Sequence, residues 1–458
     1  MLPRHVVDNL QNVLGKGSVI TDREALLCYS YDATRMERIP DIIVKPVTPD
    51  EVVSILNIAN HEKIPVIPRG AGTGFAGGSV PMQGGVVLSL QNMDRIIEIN
   101  KDDMYMVVEP GVVTKAIQKA AEAEGLFYPP DPSSVNICTI GGNISTGAGG
   151  ARGIKYGTTK DYVLGLDVAI ASGEIISIGT RAPRSAAGYD LTRLMVGSEG
   201  TLGVITKAIL RLIPLPEKTI TVTALFSGMN SAASVISLLL KSPVRPSVLE
   251  FLDRESIRVV RDLLPLKARE KAEAMLLIEL DGPEGTVDKG LPKIEEICKR
   301  SGALDFEVAS TSSDRERLWT ARRSVSPALY KINPTKINED VVVPRSRLSE
   351  LIVEIENISF KYKLQIVSFG HAGDGNLHIN IMTDEKNHEE FERAKKAVKA
   401  LFEATLRLNG SISGEHGIGV TKAPFLSMEV GKMAIEIMKG IKKAFDPNNI
   451  LNPGKLWI

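Results

Sequence analysis

Apolar and polar positions recur along this chain in two periods, and the switches between them outline its elements. Asp41 to Val44 reads as a strand, and Thr48-Pro49-Asp50-Glu51 reads as a helix start, with Thr48 as N-cap, proline at the first helical position and acids in the first turn. The helix so begun puts Val52, Ile55, Leu56 and Ala59 on one face, and Pro65-Val66-Ile67 resumes extended chain. Val86 to Leu90 follows a glycine-rich loop as a further strand. A second strand-and-helix pattern runs from Tyr105 and then from Thr114 to Glu124, and Tyr162 to Ile178 reads as two strands joined by Ala171-Ser172-Gly173-Glu174. Residues 125–160 read as long loops rich in Gly, Ser and Thr. Pro214-Leu215-Pro216 punctuates the chain, and a domain boundary is expected there. Beyond it, apolar strands such as Ala274 to Leu280 alternate with charged amphipathic helices such as Leu291 to Lys299 and Glu389 to Leu408, whose Lys-rich faces read as solvated surface. The tail ends in Leu456-Trp457-Ile458, apolar enough to dock.

The most informative switch lies between Leu364–Phe369 and Leu377–Ile381, two strand-like runs separated by His371-Ala-Gly-Asp-Gly-Asn-Leu-His378. The chain must turn back there, which brings His371 and His378 to the lips of one turn. Leu377, Ile379 and Ile381 are expected in the core and His378 on the opposite face. Glu415-His416 is framed by Gly414, Gly417 and Gly419, so the backbone can aim two consecutive side chains into one cavity, which a regular strand forbids. Two imidazoles and a carboxylate (His371, His378, Glu415) make a borderline divalent-metal site suited to zinc, iron or manganese, and leave His416 as a base.

Composition removes several function classes. The chain has 55 basic and 55 acidic residues and only 5% aromatics, with no basic stretch interleaved with aromatics, so no nucleic-acid partner is expected. Cys28, Cys138 and Cys298 are odd in number, far apart and without metal spacing. That usage fits a reducing cytoplasm and excludes an iron–sulfur cluster built by this chain alone. No apolar run approaches the ~20 residues of a transmembrane segment, which leaves peripheral docking on a membrane complex open.

Three glycine loops lie in the N-terminal half. Arg69 to Gly78 contains a literal G-x-G-x-x-G from Gly72 to Gly77, but Pro81, Gly84 and Gly85 leave no room for the helix that a Rossmann fingerprint must open. What remains is a nest of backbone N–H groups suited to an anion such as a pyrophosphate. Thr139 to Gly150 and Gly197 to Gly203 are read as two further loops of this kind. Three in one domain suggest a large, flat, polyphosphate-bearing ligand, for which FAD fits better than a mononucleotide.

The segments PRGAGTGFAGGSVP, CTIGGNISTGAGG, KYGTT, GSEGTLGVIT, GHAGDGNLH, SGEHGIG and the terminal NPGK cover nearly the whole length. With them the chain resembles the FAD-linked 2-hydroxy-acid dehydrogenases of the vanillyl-alcohol oxidase and p-cresol methylhydroxylase superfamily, the branch of D-lactate dehydrogenases, the glycolate oxidase D subunit and D-2-hydroxyglutarate dehydrogenases. The resemblance implies an α+β protein: an FAD-binding domain of two α/β subdomains (1–216), a cap domain with an antiparallel sheet flanked by helices (217–412), and a C-terminal segment (413–458) that supplies the Glu-His pair and returns to the FAD domain. It implies that Arg69, Gly70, Ala71, Gly72, Thr73 and Gly74 hold the pyrophosphate, that Pro132, Ser134, Thr139, Gly142, Asn143, Thr146 and Ile205 line the flavin and adenosine, and that Asn452 contributes from the tail. With no histidine in the first loop, the FAD is expected to be non-covalent. By the same resemblance, His371, His378 and Glu415 would hold the ion, His416 would take the substrate's hydroxyl proton, and Arg322, with Lys336 as a second candidate, would bind its carboxylate. A small D-2-hydroxy acid, D-lactate ahead of glycolate and 2-hydroxyglutarate, would be oxidised to the 2-oxo acid. Electrons would leave through a partner such as an electron-transfer flavoprotein or an iron–sulfur subunit. Two alternatives stay open. One is an alkyl-glycerone-phosphate synthase-like flavoenzyme, which should carry an acyl tunnel that the sequence does not reveal. The other is a non-catalytic flavin subunit of a multisubunit oxidase, which should have lost metal ligands that are present here.

Overall fold

In the computed structural model, which describes residues 2–264, 269–309 and 311–457, the chain forms two compact units. One comprises Met1–Ala148, Thr158–Leu215 and Glu415–Ile458, and the other Gly149–Gly157 and Pro216–Gly414.

In the first unit, strands Ile42–Val44 and Val66–Arg69 both run parallel to Val86–Ser89, and Val19–Ile20 adds an antiparallel edge. The helix Pro49–Glu62 makes the crossover, opened by a reciprocal cap in which Thr48 Oγ1 accepts the Glu51 N–H and the Glu51 carboxylate accepts the Thr48 N–H. Val52, Ile55 and Leu56 pack with Ile42, Val44, Val66, Val86 and Leu88 in one core. Burying each such side chain is worth about 1.5–3 kcal/mol, more than the weak helix propensity of Val and Ile costs. A second, five-stranded antiparallel sheet has the order Ile96–Asn100, Tyr105–Val108, Val204–Arg211, Val163–Ala169, Ile175–Gly179. The tail rejoins the parallel sheet: the Val66 N–H donates to Ile450, the Asn452 N–H donates to Val66, and Ile450 and Leu451 enter the core.

One loop expectation is corrected. Within Thr139–Gly150, residues Ile140–Thr146 form a short helix, because Thr139 Oγ1 accepts the Gly142 N–H at the start and Gly147, with φ of 67°, ends it in the left-handed region. Glycine content argues against helix locally; burial of Ile140 and Ile144 overrides it.

The second unit is built on one seven-stranded, wholly antiparallel sheet, in the order Ala303–Val308, Lys218–Phe226, Ala274–Gly282, Val248–Asp253, Gln365–His371, Asn376–Thr383, Thr335–Val342. Its two faces differ. One carries Phe251, Leu276, Ile278, Leu377, Ile379 and Ile381, buried beside the long helices Met229–Lys241, Glu284–Arg300, Leu348–Tyr362 and His388–Arg407. On the other, Leu252, Met275, Val367, Phe369 and Met382 pack under Ile257, Ala321 and Val325 of the helices Arg254–Val259 and Ser312–Ala328. Val248 and Leu277 of the same face pack with Leu318 in a separate apolar cluster, and the face also carries the polar residues Glu250, His371, His378 and Asp340.

Residues 149–157, expected within the first domain, pack with this unit instead. Lys155 Nζ donates to the Asp281 carbonyl at 2.7 Å and pairs with its carboxylate, to which the Tyr156 hydroxyl also donates at 2.9 Å. Among the described residues no helix is long and apolar enough to cross a membrane.

Candidate active site

In the first unit the strand Val66–Arg69 ends in the glycine loop, which stays non-helical through Gly85. Among the described residues, the N–H groups of Ala71 to Phe75 donate to no protein acceptor, an arrangement that fits an anionic group. Arg69 is buried and organises this loop: its guanidinium donates to the Ser79 carbonyl and hydroxyl and, at 2.8 Å, to the Tyr31 carbonyl. Gly72, with φ of 69°, lies so close beneath that a Cβ would sit 2.1 Å from Arg69 Nη2.

The loop borders an open cleft of about 1210 Å³, the solvent at its mouth included. Gly70, Ala71, Thr73 and Gly74 line it, as do Pro132, Ser134, Thr139, Gly142, Asn143, Thr146 and Ile205. Asn143 also anchors the short helix, donating to Thr114 Oγ1 at 2.7 Å. Asn452 is not among the lining residues. Its Nδ2 donates to the carbonyls of Gly78 and Glu199, tying the first and third glycine loops together. Glu415 and His416 line the same cleft, and the His416 ring stacks on Phe75 with centroids 4.9 Å apart.

Glu199 enters the cleft wall from the third loop with φ of 52°. Its carboxylate accepts the N–H groups of Ile418 at 2.7 Å and Gly419 at 2.8 Å. Burial pushes this carboxyl up to about 7, only partly offset by those two amides and by Lys455 and Lys422. Lys455, lowered to about 8 by its own burial, donates to the carbonyls of Gly77 and Val80.

In the second unit, strand register assembles a polar row from distant segments. Glu250 lies opposite His371, His371 opposite Asn376, and His378 opposite Asp340. Glu250 joins two predicted residues: one carboxylate oxygen meets His371 Nδ1 at 2.5 Å and the other accepts Arg322 Nε–H at 2.6 Å. Burial opposes ionisation of Glu250, but Arg322 and His371 outweigh it and hold its carboxyl at about 2. The Arg322 guanidinium lies over the Phe369 ring, 4.7 Å from its centroid. The His371 and His378 rings meet edge to face, 5.2 Å apart. Asp340 Oδ1 stands 3.9 Å from His378 Nδ1 and accepts from Asn376, while Oδ2 accepts the N–H of Gly414, the residue before Glu415. The Glu250 carboxylate on the Nδ1 side of His371 is the support that metal-binding histidines commonly have, and fits a divalent ion at that imidazole; at 3.9 Å Asp340 is too far from His378 Nδ1 for a hydrogen bond. Lys336 points to the same face four residues along the strand from Asp340, roughly 13 Å away. Its Nζ is held by the Ser326 hydroxyl at 2.7 Å and the Ser326 carbonyl.

Glu250, Asp340 and Glu199 were not found from sequence. The only local signal was for Glu250, an acid inside the apolar strand Val248–Asp253, where a buried charge demands a partner.

Comparison with known proteins agrees with this architecture. The FAD linked oxidases C-terminal domain matches residues 215–456, and an FAD binding domain matches residues 40–179. Glycolate oxidase subunit GlcD of Bacillus subtilis is 45% identical over 458 residues, covering 100% of this chain and 97% of that protein. D-lactate dehydrogenase of Anaerostipes hadrus is 34% identical over 91% of this chain and 89% of its own. D-2-hydroxyglutarate dehydrogenase of Stutzerimonas stutzeri is 33% identical over 99% and 98%. Of solved structures, p-cresol methylhydroxylase with substrate bound matches with a TM-score of 0.82 at 19% identity, covering 99% of this chain and 96% of that one. Alkyldihydroxyacetonephosphate synthase matches at 0.79 and 18%, covering 99% and 86%. At such identities the structural likeness shows the fold alone. With both domains matched and relatives 33–45% identical over nearly the whole chain, this chain carries an FAD-binding domain and belongs to the FAD-linked oxidases, in the branch of FAD-dependent 2-hydroxy-acid oxidoreductases.

Proposed function

We propose that this protein oxidises a small D-2-hydroxy acid to the 2-oxo acid with non-covalent FAD and one divalent ion, and passes the electrons to a partner protein such as an electron-transfer flavoprotein or an iron–sulfur subunit. The observation that carries the reading is the buried Arg322–Glu250–His371 chain on the sheet face beside His378. It pairs an anion-binding group with a metal-binding one, as an acid with a carboxylate and a vicinal hydroxyl requires.

Bound FAD supplies the acceptor for the two electrons that leave the substrate α-carbon. His371, His378 and Glu415 would hold the ion, which would supply Lewis acidity toward the substrate's oxygens. Arg322 receives the carboxylate through its planar fork, Glu250 fixing the fork's orientation, and Lys336 is proposed as a second cation. His416, stacked on Phe75 at the cleft, takes the hydroxyl proton. The relatives are named for glycolate, D-lactate and D-2-hydroxyglutarate, which supports a small 2-hydroxy acid as the substrate class.

The test is anaerobic bleaching of the flavin by D-lactate, L-lactate, glycolate and D-2-hydroxyglutarate. The D acids or glycolate should bleach it, with L-lactate much slower. Bleaching by none of them, or by L-lactate as fast as by D-lactate, would sink the proposal.

A further inference from the structure

Glu199 is not among the groups assigned to substrate, yet it is fastened to the turn that carries one of them, His416. Its two carboxylate oxygens accept the consecutive N–H groups of Ile418 and Gly419, two and three residues after His416. The approach is tight: a Cβ on Gly417 would fall 2.8 Å from Glu199 Oε1. Glu199 is itself held, its carbonyl accepting from Asn452 Nδ2 at 2.7 Å and its N–H donating to Ser145 at 2.8 Å. On the far side of the same turn, the Val420 N–H donates to Ala76 at 2.7 Å, next to the Phe75 ring on which the His416 imidazole stacks. The imidazole therefore has its ring located by Phe75 and its backbone located by Glu199. A left-handed backbone at a residue that is not glycine, Glu199 at φ 52°, is a conformation that persists where the surroundings impose it.

We infer that Glu199 is a positioning residue for His416: by chelating the backbone of the turn it sets where the imidazole stands and so governs the rate of proton removal, without touching substrate. This rests on the reading of His416 as the base. An ionised carboxylate turns an acceptor oxygen to each of the two amides. Glutamine keeps the size but turns an NH2 toward one of them.

The test is a double-mutant cycle on holoenzyme, with FAD content measured by absorbance and flavin reduction followed in single turnovers with whichever acid bleaches the wild type. Glu199→Gln should retain FAD and slow reduction about tenfold, the size of one lost charge-assisted hydrogen bond. His416→Asn should slow it ~10²- to 10⁴-fold. The double variant should be no slower than His416→Asn by more than about twofold, because a misplaced base matters only while the base is there. Multiplying effects, or wild-type reduction in Glu199→Gln, would overturn the inference. Loss of FAD or of folded protein in both Glu199→Gln and Glu199→Asp would assign the residue to holding the domain and equally overturn it. Wild-type reduction in His416→Asn alone would instead remove the base assignment on which the inference stands.

Discussion

A buried carboxylate that serves an arginine and a histidine at once leaves both stranded when it is neutralised. Glu250→Gln keeps the shape, but the Arg322 guanidinium then stays buried without a countercharge, which costs about 3–5 kcal/mol. The variant should unfold at lower denaturant and, through His371, bind its ion 10–100-fold more weakly by the usual effect of losing a supporting carboxylate. An unchanged midpoint together with unchanged affinity would mean that the bridge is replaceable. The neighbours Glu415 and His416 separate ligand from base in the same way. Glu415→Gln should lose metal and flavin reduction together, whereas His416→Asn should retain metal and FAD and lose only the rate. Metal analysis that gave the opposite pattern would exchange the two roles. His371, His378, Glu415 and His416 stood out as candidates because glycines accompany them in sequence. Glu250 and Asp340 did not, since their place beside the histidines is set by strand register, and Glu250 meets His371 across 121 residues of chain.

At the level of elements, helix and strand periods gave the parallel crossover, the Thr48 cap and the hairpin from Gln365 to Thr383 directly. The helix Ile140–Thr146 escaped because its caps lie in a stretch whose composition reads as loop. The helix Arg254–Val259 rests on a cap whose charge is exposed by pH. Asp253 accepts the Ser256 N–H at 2.8 Å and the Ser368 N–H at 2.5 Å, joining the helix to the neighbouring strand. Burial nevertheless pushes its carboxyl up to about 6. A carboxyl with a raised folded value binds its proton more tightly in the folded state, so its contribution to stability is greatest at low pH. That contribution falls as pH rises from the ordinary value near 4 to about 6. Over that window the second unit should lose about 2–3 kcal/mol from this group. Trp319 fluorescence in a Trp457→Phe background would follow the unfolding. Asp253→Asn should flatten the slope relative to its parent, and an identical slope in both would exclude Asp253 as its source.

Across the whole chain, the groups proposed to hold FAD and the two histidines come from different compact units. The candidate flavin cleft is walled by glycine loops, the short helix and Glu415-His416, all in the first unit, while His371 and His378 stand on the sheet of the second. Cofactor retention and metal retention should therefore be separable in one sample. Dialysis against a chelator should leave a yellow protein with its full complement of FAD but without reduction by the 2-hydroxy acid, and adding back Zn²⁺, Mn²⁺ or Fe²⁺ should restore reduction with at least one of them. Acid precipitation of either form should release the FAD into the supernatant, because no histidine stands in the loop Gly70 to Gly78 to bond it. Flavin found in the pellet would direct attention to Cys138, which lines the cleft. Loss of FAD on chelation would mean that the ion holds the flavin unit together rather than acting on substrate. Full reduction in a sample shown to be metal-free would leave the proton transfer to His416 alone and remove the ion from the chemistry.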